Sequence, residues 1–190
     1  KMPDRQPGES APRQLPPTAE EIQELLVAAD LRPRRLALLA ATLARCGVRC
    51  GHVVRLDGTA SLPFDAVFDR VLVDAPCSGL GSLRRNPDAR WRVDSADPAH
   101  LAKKQLAILR AAAGALRLDG VLVYSTCTLL PEENEDVVQQ FLKIHNEFTL
   151  ERPSNSRLAP LINPVGYLKT LPHRDNLEGF FAAVLKRKTS

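Results

Sequence analysis

Several protein classes are ruled out by what the sequence has little of. Its 190 residues include four cysteines, Cys46, Cys50, Cys77 and Cys127, too few and too spread for a disulfide scaffold. An intracellular, reducing compartment is therefore expected, although nothing distinguishes cytoplasm, nucleolus or organelle. Cys46 and Cys50 lack a second Cys or His pair to complete a tetrahedral zinc site, so no metal is expected. The longest apolar runs, such as residues 25–29 and 121–124, fall far short of the roughly 18 residues a helical membrane span needs. No secretory-type apolar stretch opens the chain, and no membrane partner is expected. Charge of one sign is also scarce: 26 Lys and Arg against 22 Asp and Glu leave a net +4, which permits a polyanionic partner without demanding one. Hydrophobic residues at 44% and charged residues at 25% are ordinary for a globular chain, and the length suits one domain.

Residues 1–18 contain five prolines and no periodic apolar face, which predicts an extended arm, with the folded domain running over 19–190. Thr18 with Glu21 three residues on has the form of a capping box. Residues 25–29 read better as a buried strand ending at Asp30 than as part of that helix. Leu36, Leu39, Ala40, Leu43 and Ala44 mark the apolar stripe of a helix over about 33–45 closed by Gly47. Further strands are expected at 52–56, 68–74 and 121–125, and further helices at 98–118 and 133–145, with Asp119-Gly120 as a turn. Residues 148–151 and 179–186 form two more strands that can pair antiparallel across a Pro-rich excursion over 153–172. The alternation implies an α/β fold with a mostly parallel sheet. Ligands of such sheets bind beyond the carboxyl ends of the strands, where Asp30, Asp57, Asp74 and Cys77 fall.

Two apolar strands end in a cysteine. One runs into Asp74-Ala75-Pro76-Cys77-Ser78-Gly79, the other into Tyr124-Ser125-Thr126-Cys127. Fifty residues separate the thiols, room for one loop and one crossover helix, so neighbouring strand ends can bring them into one crevice. A single strand-end cysteine is most simply a small buried residue; two in equivalent places favour chemistry.

These segments, with ArgArgAsnProAspAlaArgTrp at 84–91, ProGluGluAsnGlu at 131–135 and ProHisArgAspAsnLeuGluGlyPhePhe at 172–181, resemble the RNA cytosine-5 methyltransferases of the Sun/Fmu (Nol/Nop/Sun) type, such as the bacterial 16S ribosomal RNA enzymes. The resemblance runs from about residue 25 to 186. It implies a Rossmann-like class I methyltransferase domain with an antiparallel C-terminal strand, S-adenosylmethionine as cofactor, and RNA, most plausibly rRNA or a ribosome precursor, as substrate. It implies Cys127 as the nucleophile that adds to C6 of cytosine, Cys77 as the residue that assists product release, and Asp74 as the acid near N3 of the base, protonated in a poorly solvated site. It further implies Asp30 and Asp57, with Asp74 and Arg35, toward the cofactor, and Pro76, Arg84, Arg85, Arg90, His173 and Arg174 toward the RNA.

Read by themselves, Asp30 is equally a helix N-cap and Asp57 a turn former before Gly58. Trp91 is either a core anchor or a base-stacking platform. The four acids between Glu132 and Asp136 suit the positive end of a helix, a structural role. A free thiol near pKa 8.5 is only a few per cent thiolate at neutral pH, so something must activate Cys127, and no residue in the sequence identifies itself as that group.

The family's glycine-rich loop has no counterpart: between Lys1 and Leu26 the one glycine is Gly8. The expected fold therefore lacks the first strand and its loop, and the N-terminal side of the domain is incomplete. Three readings follow: a fragment or excised chain, a protein partner that completes the sheet, or a catalytically inactive RNA-binding scaffold or ribosome assembly factor. The paired cysteines and Asp74 favour catalysis, since a scaffold has no need of thiols. A thiol redox protein is the weaker alternative, because no Cys-X-X-Cys motif is present.

Overall fold

The computed structural model describes residues 26–48, 51–91, 94 and 97–189. The arm expected over 1–18 and the capping box at Thr18 lie outside the described residues. The chain divides between Arg55 and Leu56 into two compact units.

In the first unit, β1 (Leu26–Asp30) and β2 (Gly51–Arg55) pair in parallel, Leu26 opposite Gly51 and Asp30 opposite Arg55. The crossover is α1 (Pro33–Arg45). Its start is set by Pro33, whose fixed φ suits a first helical position, and by Asp30, whose Oδ1 accepts the Arg32 backbone N–H at 2.8 Å. Gly47, at φ 72°, takes the left-handed turn that ends the helix. Leu36, Leu39, Thr42 and Leu43 are its half-buried side chains.

The second unit is a five-stranded mixed sheet. β3 (Phe68–Asp74) lies parallel to β4 (Leu116–Thr126), and β7 (Phe180–Arg187) runs antiparallel to β4. β5 (Phe148–Glu151) and the short β6 (Leu168–Thr170) both pair antiparallel with β7. The helices are α2 (Asp97–Gly114), α3 (Glu135–Ile144) and the one-turn α4 (Pro172–Asp175). The core gathers Leu109 from α2, Leu116, Leu122 and Tyr124 from β4, Phe141 from α3, and Phe181 and Leu185 from β7, all fully buried. Burial of each large side chain is worth about 1.5–3 kcal/mol.

Four expectations are corrected. The helix expected over 98–118 stops at Gly114, because Leu116 is drawn into the sheet opposite Phe68. The Asp119-Gly120 turn is instead an irregularity inside β4: Asp119 takes φ 61°, and pairing resumes at Arg70 opposite Val121. The helix expected from 133 begins at Glu135, after a 3₁₀ turn over Pro131–Glu133; Asn134, at φ −118° and ψ −96°, breaks the path between them. The excursion over 153–172, expected to carry no strand, contributes β6, which adds an antiparallel partner to β7. Among the described residues β3 pairs with β4 alone, and its Leu72 is 69% exposed.

Candidate active site

β3 and β4 are in parallel register with Asp74 opposite Ser125, so the residues following both strands leave the sheet side by side. The Ala75 N–H extends the ladder by one bond to the Ser125 carbonyl, 2.9 Å. Two residues beyond each of these positions stands a cysteine, and the Cys77 and Cys127 sulfurs are 3.3 Å apart. Cys127 is exposed and Cys77 half-buried, and neither forms a disulfide.

The loop carrying Cys77 is gripped from several sides. Gly79 takes φ 73°, a conformation open to glycine at no steric cost. The Gly81 N–H donates to the Cys127 carbonyl at 2.9 Å, and the Gly179 N–H donates to the Gly81 carbonyl at 2.8 Å. A Cβ on Gly81 would lie 2.1 Å from the Gly179 oxygen and 2.7 Å from the Cys127 oxygen. Three sequence-distant motifs thus meet backbone to backbone. The Ser78 hydroxyl lies 2.8 Å from that of Thr128, and the Ser78 N–H donates to Glu133 Oε2 at 2.9 Å. Gln105 Nε2 donates both to the Pro76 carbonyl and to the same Glu133 oxygen, each at 2.9 Å. Tyr124 donates its hydroxyl to the Glu133 carbonyl at 2.6 Å.

Glu133 and Gln105 are fully buried. Glu133 is therefore part of the site's frame, a correction to its reading as a helix-end charge. Gln105 went unnoticed, yet it stands four residues from both Leu101 and Leu109 on the apolar face of α2; a lone amide on such a face is a readable signal, since buried amides need partners.

The electrostatics answer what activates Cys127. The Cys77 thiol hydrogen-bonds the Cys127 sulfur and lowers the Cys127 pKa from 9.0 to about 7, against opposing effects of burial, Asp74 and Glu133. The same hydrogen bond, then burial, pushes Cys77 far up. One sulfur is a thiolate acceptor and its neighbour a thiol donor. Asp74 is exposed, so the poorly solvated site expected for it is absent in the chain by itself.

The basic residues fall into two groups. Arg84 Nη1 donates to Asn176 Oδ1 at 3.2 Å, and Arg85 pairs with Glu178 at 3.5 Å. With Leu177 these four line an open cleft of about 380 Å³. Arg90 lies 4.7 Å over the Trp91 ring, and Trp91, at 77% exposure, is no core anchor. Arg174 is turned inward on its own loop, bonding both Asp175 oxygens at 2.8 Å and the Lys169 carbonyl at 2.7 Å. His173 and Pro76 are exposed.

Asp30 ends β1 with Oδ1 on the Arg32 N–H and Oδ2 3.1 Å from Arg35 Nε. The backbone hydrogen bond is the leading cause holding its pKa below the ordinary value, and Arg35 serves the carboxylate. Asp57 accepts from the Thr59 N–H and hydroxyl at 3.0 and 2.7 Å, bonds that lower its pKa and fit the turn role. Among the described residues no group of three or more His, Cys, Asp or Glu is placed to hold a metal, and no helix is long and apolar enough to cross a membrane.

Strands whose carboxyl ends deliver side chains to one edge are general to open α/β sheets, and the solved structures that this chain resembles make the fold a Rossmann-like methyltransferase one. NSun6 from Pyrococcus horikoshii, solved with SFG, superposes with a TM-score of 0.72 at 32% identity over 86% of this chain and 41% of that one. A methyltransferase homolog protein from Pyrococcus horikoshii gives 0.67 at 28% identity, over 86% of this chain and 53% of that one. The model of the family described as 16S rRNA methyltransferase RsmB/F matches residues 18–186, and the chain belongs to this family. The probable ribosomal RNA small subunit methyltransferase B of Bacillus subtilis is 37% identical over 84% of this chain and 37% of its own length. That of Synechocystis is 41% identical over 87% and 38%. The chain thus spans less than two fifths of the length of these curated relatives.

Proposed function

We propose that the chain carries the catalytic thiols of an S-adenosylmethionine-dependent RNA methyltransferase that acts on C5 of a cytosine, in RNA of the small ribosomal subunit. The observation that carries this reading is the Cys77–Cys127 contact at 3.3 Å beside the exposed Asp74. A cytosine C5 is a poor nucleophile until a group adds at C6. Cys127, about half thiolate at neutral pH given a pKa of about 7, is the adding group. The S–C6 bond forms, the C5–C6 π pair moves toward N3, and Asp74, acting in its carboxylic-acid form once the base covers it, donates its proton to N3 where that charge collects and takes it back on product release. S-adenosylmethionine, when bound, supplies the methyl group that the activated C5 accepts. Once Cys127 is bonded to carbon its charge is gone, and with it the main cause holding Cys77 protonated. Cys77 gives up its proton to solvent and the resulting thiolate serves as the base: it takes the C5 proton, the C5–H pair re-forms the C5–C6 double bond, and the Cys127–C6 bond breaks to return the Cys127 thiolate.

The residues present suit the cofactor. Asp30 Oδ1 faces both the Arg32 N–H and the Arg32 guanidinium, whereas Oδ2 faces Arg35 alone and keeps a second lone pair, fit for a ribose hydroxyl. Asp57 Oδ2 carries no such bond to Thr59 and offers an acceptor of the same kind. For RNA, the exposed Arg84, Arg85 and Arg90 supply phosphate partners, and the Trp91 face supplies a stacking surface. His173 is free to contact the base or backbone, whereas Arg174 is engaged by Asp175. The edge of β3 that pairs with no strand among the described residues suits a further strand, from this protein or a partner.

The test is transfer of labelled methyl from S-adenosylmethionine to small-subunit RNA by the 190-residue chain and its Cys127→Ala variant. Label in cytosine C5 that disappears with Cys127→Ala is expected; undiminished transfer by the variant overturns the assignment. RNA binding that survives without any transfer by either chain favours the scaffold reading.

A further inference from the structure

The contact between the two thiols has to be held. A hydrogen-bonded Cys77 thiol activates Cys127 only while its loop keeps the sulfurs at 3.3 Å, and that loop follows a proline at the open end of the sheet. Its backbone is fastened on both sides of Cys77, at the Pro76 carbonyl and the Ser78 N–H, by two side chains that touch neither sulfur in any hydrogen bond.

We propose that Gln105 and Glu133 are positioning residues, a buried amide–carboxylate clamp that holds the Cys77 loop so that its thiol stays against the Cys127 sulfur.

Gln105 spends both amide hydrogens on the clamp, one on Pro76 and one on Glu133. Glu133 Oε2 collects the other half, from Gln105 and Ser78. Both side chains are fully buried, and among the described residues Gln105 Oε1 and Glu133 Oε1 have no hydrogen-bond partner. Leaving buried acceptors unpaired costs free energy, so a pair retained with two such atoms is a poor choice for stability alone. Glu133 also carries a cost to the chemistry, since its charge opposes ionisation of Cys127. A carboxylate that disfavours the thiolate by charge yet secures the thiol that favours it by hydrogen bond is explained by position. The clamp ties three segments: α2, the loop after β3, and the 3₁₀ turn after β4, which Tyr124 pins from the core at the Glu133 carbonyl.

The proposal rests on Cys127 as the nucleophile, but its test needs neither RNA nor cofactor. The rate at which iodoacetamide alkylates Cys127, followed by peptide mass spectrometry against pH, reads the thiolate directly. The charged and titratable groups facing that sulfur are Cys77, Asp74 and Glu133. Gln105→Leu, confirmed folded by thermal melting, is expected to move the midpoint from about 7 toward 9.0, as Cys77→Ala does. Glu133→Ala should do the same. Glu133→Gln keeps an acceptor oxygen for Ser78 and Gln105 while removing the opposing charge, so it should leave the midpoint at or below that of the unaltered chain. A folded Gln105→Leu with an unmoved midpoint overturns the clamp, as does a Glu133→Gln midpoint raised as far as that of Glu133→Ala. Hydrogen exchange at the Ser78 amide needs no variant: protection is expected, and exchange at the rate of an open loop overturns the proposal. Failure of the methyl-transfer reading would leave these midpoints as they are, so the two outcomes are separable.

Discussion

Removing the Cys77 thiol has a consequence whose sign depends on pH. In the native pair the Cys127 pKa is about 7, lowered from 9.0 chiefly by the Cys77 hydrogen bond. In Cys77→Ala that bond is gone while burial, Asp74 and Glu133 still oppose ionisation, so the midpoint rises to at least 9.0; at that value the thiolate fraction at pH 7 falls from about one half to about 1%, a loss of ~50-fold. The rate does not fall as far, because a more basic thiolate is a better nucleophile. With a Brønsted slope of about 0.4–0.5, two units of basicity return roughly 8-fold. Alkylation of Cys127 in the variant should therefore be ~6-fold slower at pH 7, equal at about pH 8, and ~4-fold faster at pH 9. The assay is the iodoacetamide rate at Cys127 in both chains across that range. Crossing curves are predicted. Superposed curves would mean that Cys77 does not set the Cys127 ionisation, and a variant slower at every pH would mean that the mutation distorts the site.

Gly81→Ala forces a Cβ to within 2.1 Å of the Gly179 oxygen and 2.7 Å of the Cys127 oxygen, both backbone, so the loop must shift; a loss of at least about 1–3 kcal/mol in denaturant unfolding is expected, together with a rise in the Cys127 alkylation midpoint. Tyr124→Phe removes the buried bond to the Glu133 carbonyl and should cost about 1–3 kcal/mol by the same measurement. Trp91 is the one tryptophan of the chain and is exposed beside Arg90; RNA should quench its fluorescence, and Arg90→Ala should weaken binding and reduce the salt slope by about one. Asp30→Ala should weaken S-adenosylmethionine binding measured by calorimetry, and unchanged affinity would remove Asp30 from the cofactor's contacts.

Much of the fold was legible because the pattern was strong. The helix from Pro33 to Arg45 and the strand from Phe68 to Asp74 coincide with their sequence limits, since a proline, a glycine and a β-branched run mark them locally. Pairing of residues 148–151 with the last strand was legible for the same reason. The long β4 was not. Asp119-Gly120 has the composition of a turn, and only the non-local partner Phe68, opposite Leu116, turns it into an interruption within a strand. The short β6 was hidden by its brevity, three residues between Pro164 and Pro172.

The meeting of Cys77 with Cys127 was legible as topology, two thiols at the ends of neighbouring strands. The geometry beneath it was not. Glu133 has the same local signature as Glu132, a carboxylate before a helix, and only the packing distinguishes the one that faces inward to Ser78 and Gln105. The same holds for arginines: Arg84 and Arg174 read alike, yet Arg84 reaches across to Asn176 at the cleft, whereas Arg174 bonds its neighbour Asp175 and the Lys169 carbonyl. Asp74, expected to be sheltered, is exposed. Solvation at a strand end depends on what covers the sheet edge, which local sequence does not encode.

The central claim is that Cys127 bonds to a cytosine and that Cys77 is needed to let it go. The most direct measurement is denaturing electrophoresis of Cys77→Ala after incubation with small-subunit RNA and S-adenosylmethionine at about pH 9, where either form of Cys127 is substantially thiolate, with mass spectrometry of the trapped species. The account predicts an RNA adduct that survives denaturation, maps to Cys127, and is lost when Cys127 is also replaced. Adduct mapped to another residue, or methylated cytosine formed by Cys127→Ala, would contradict it.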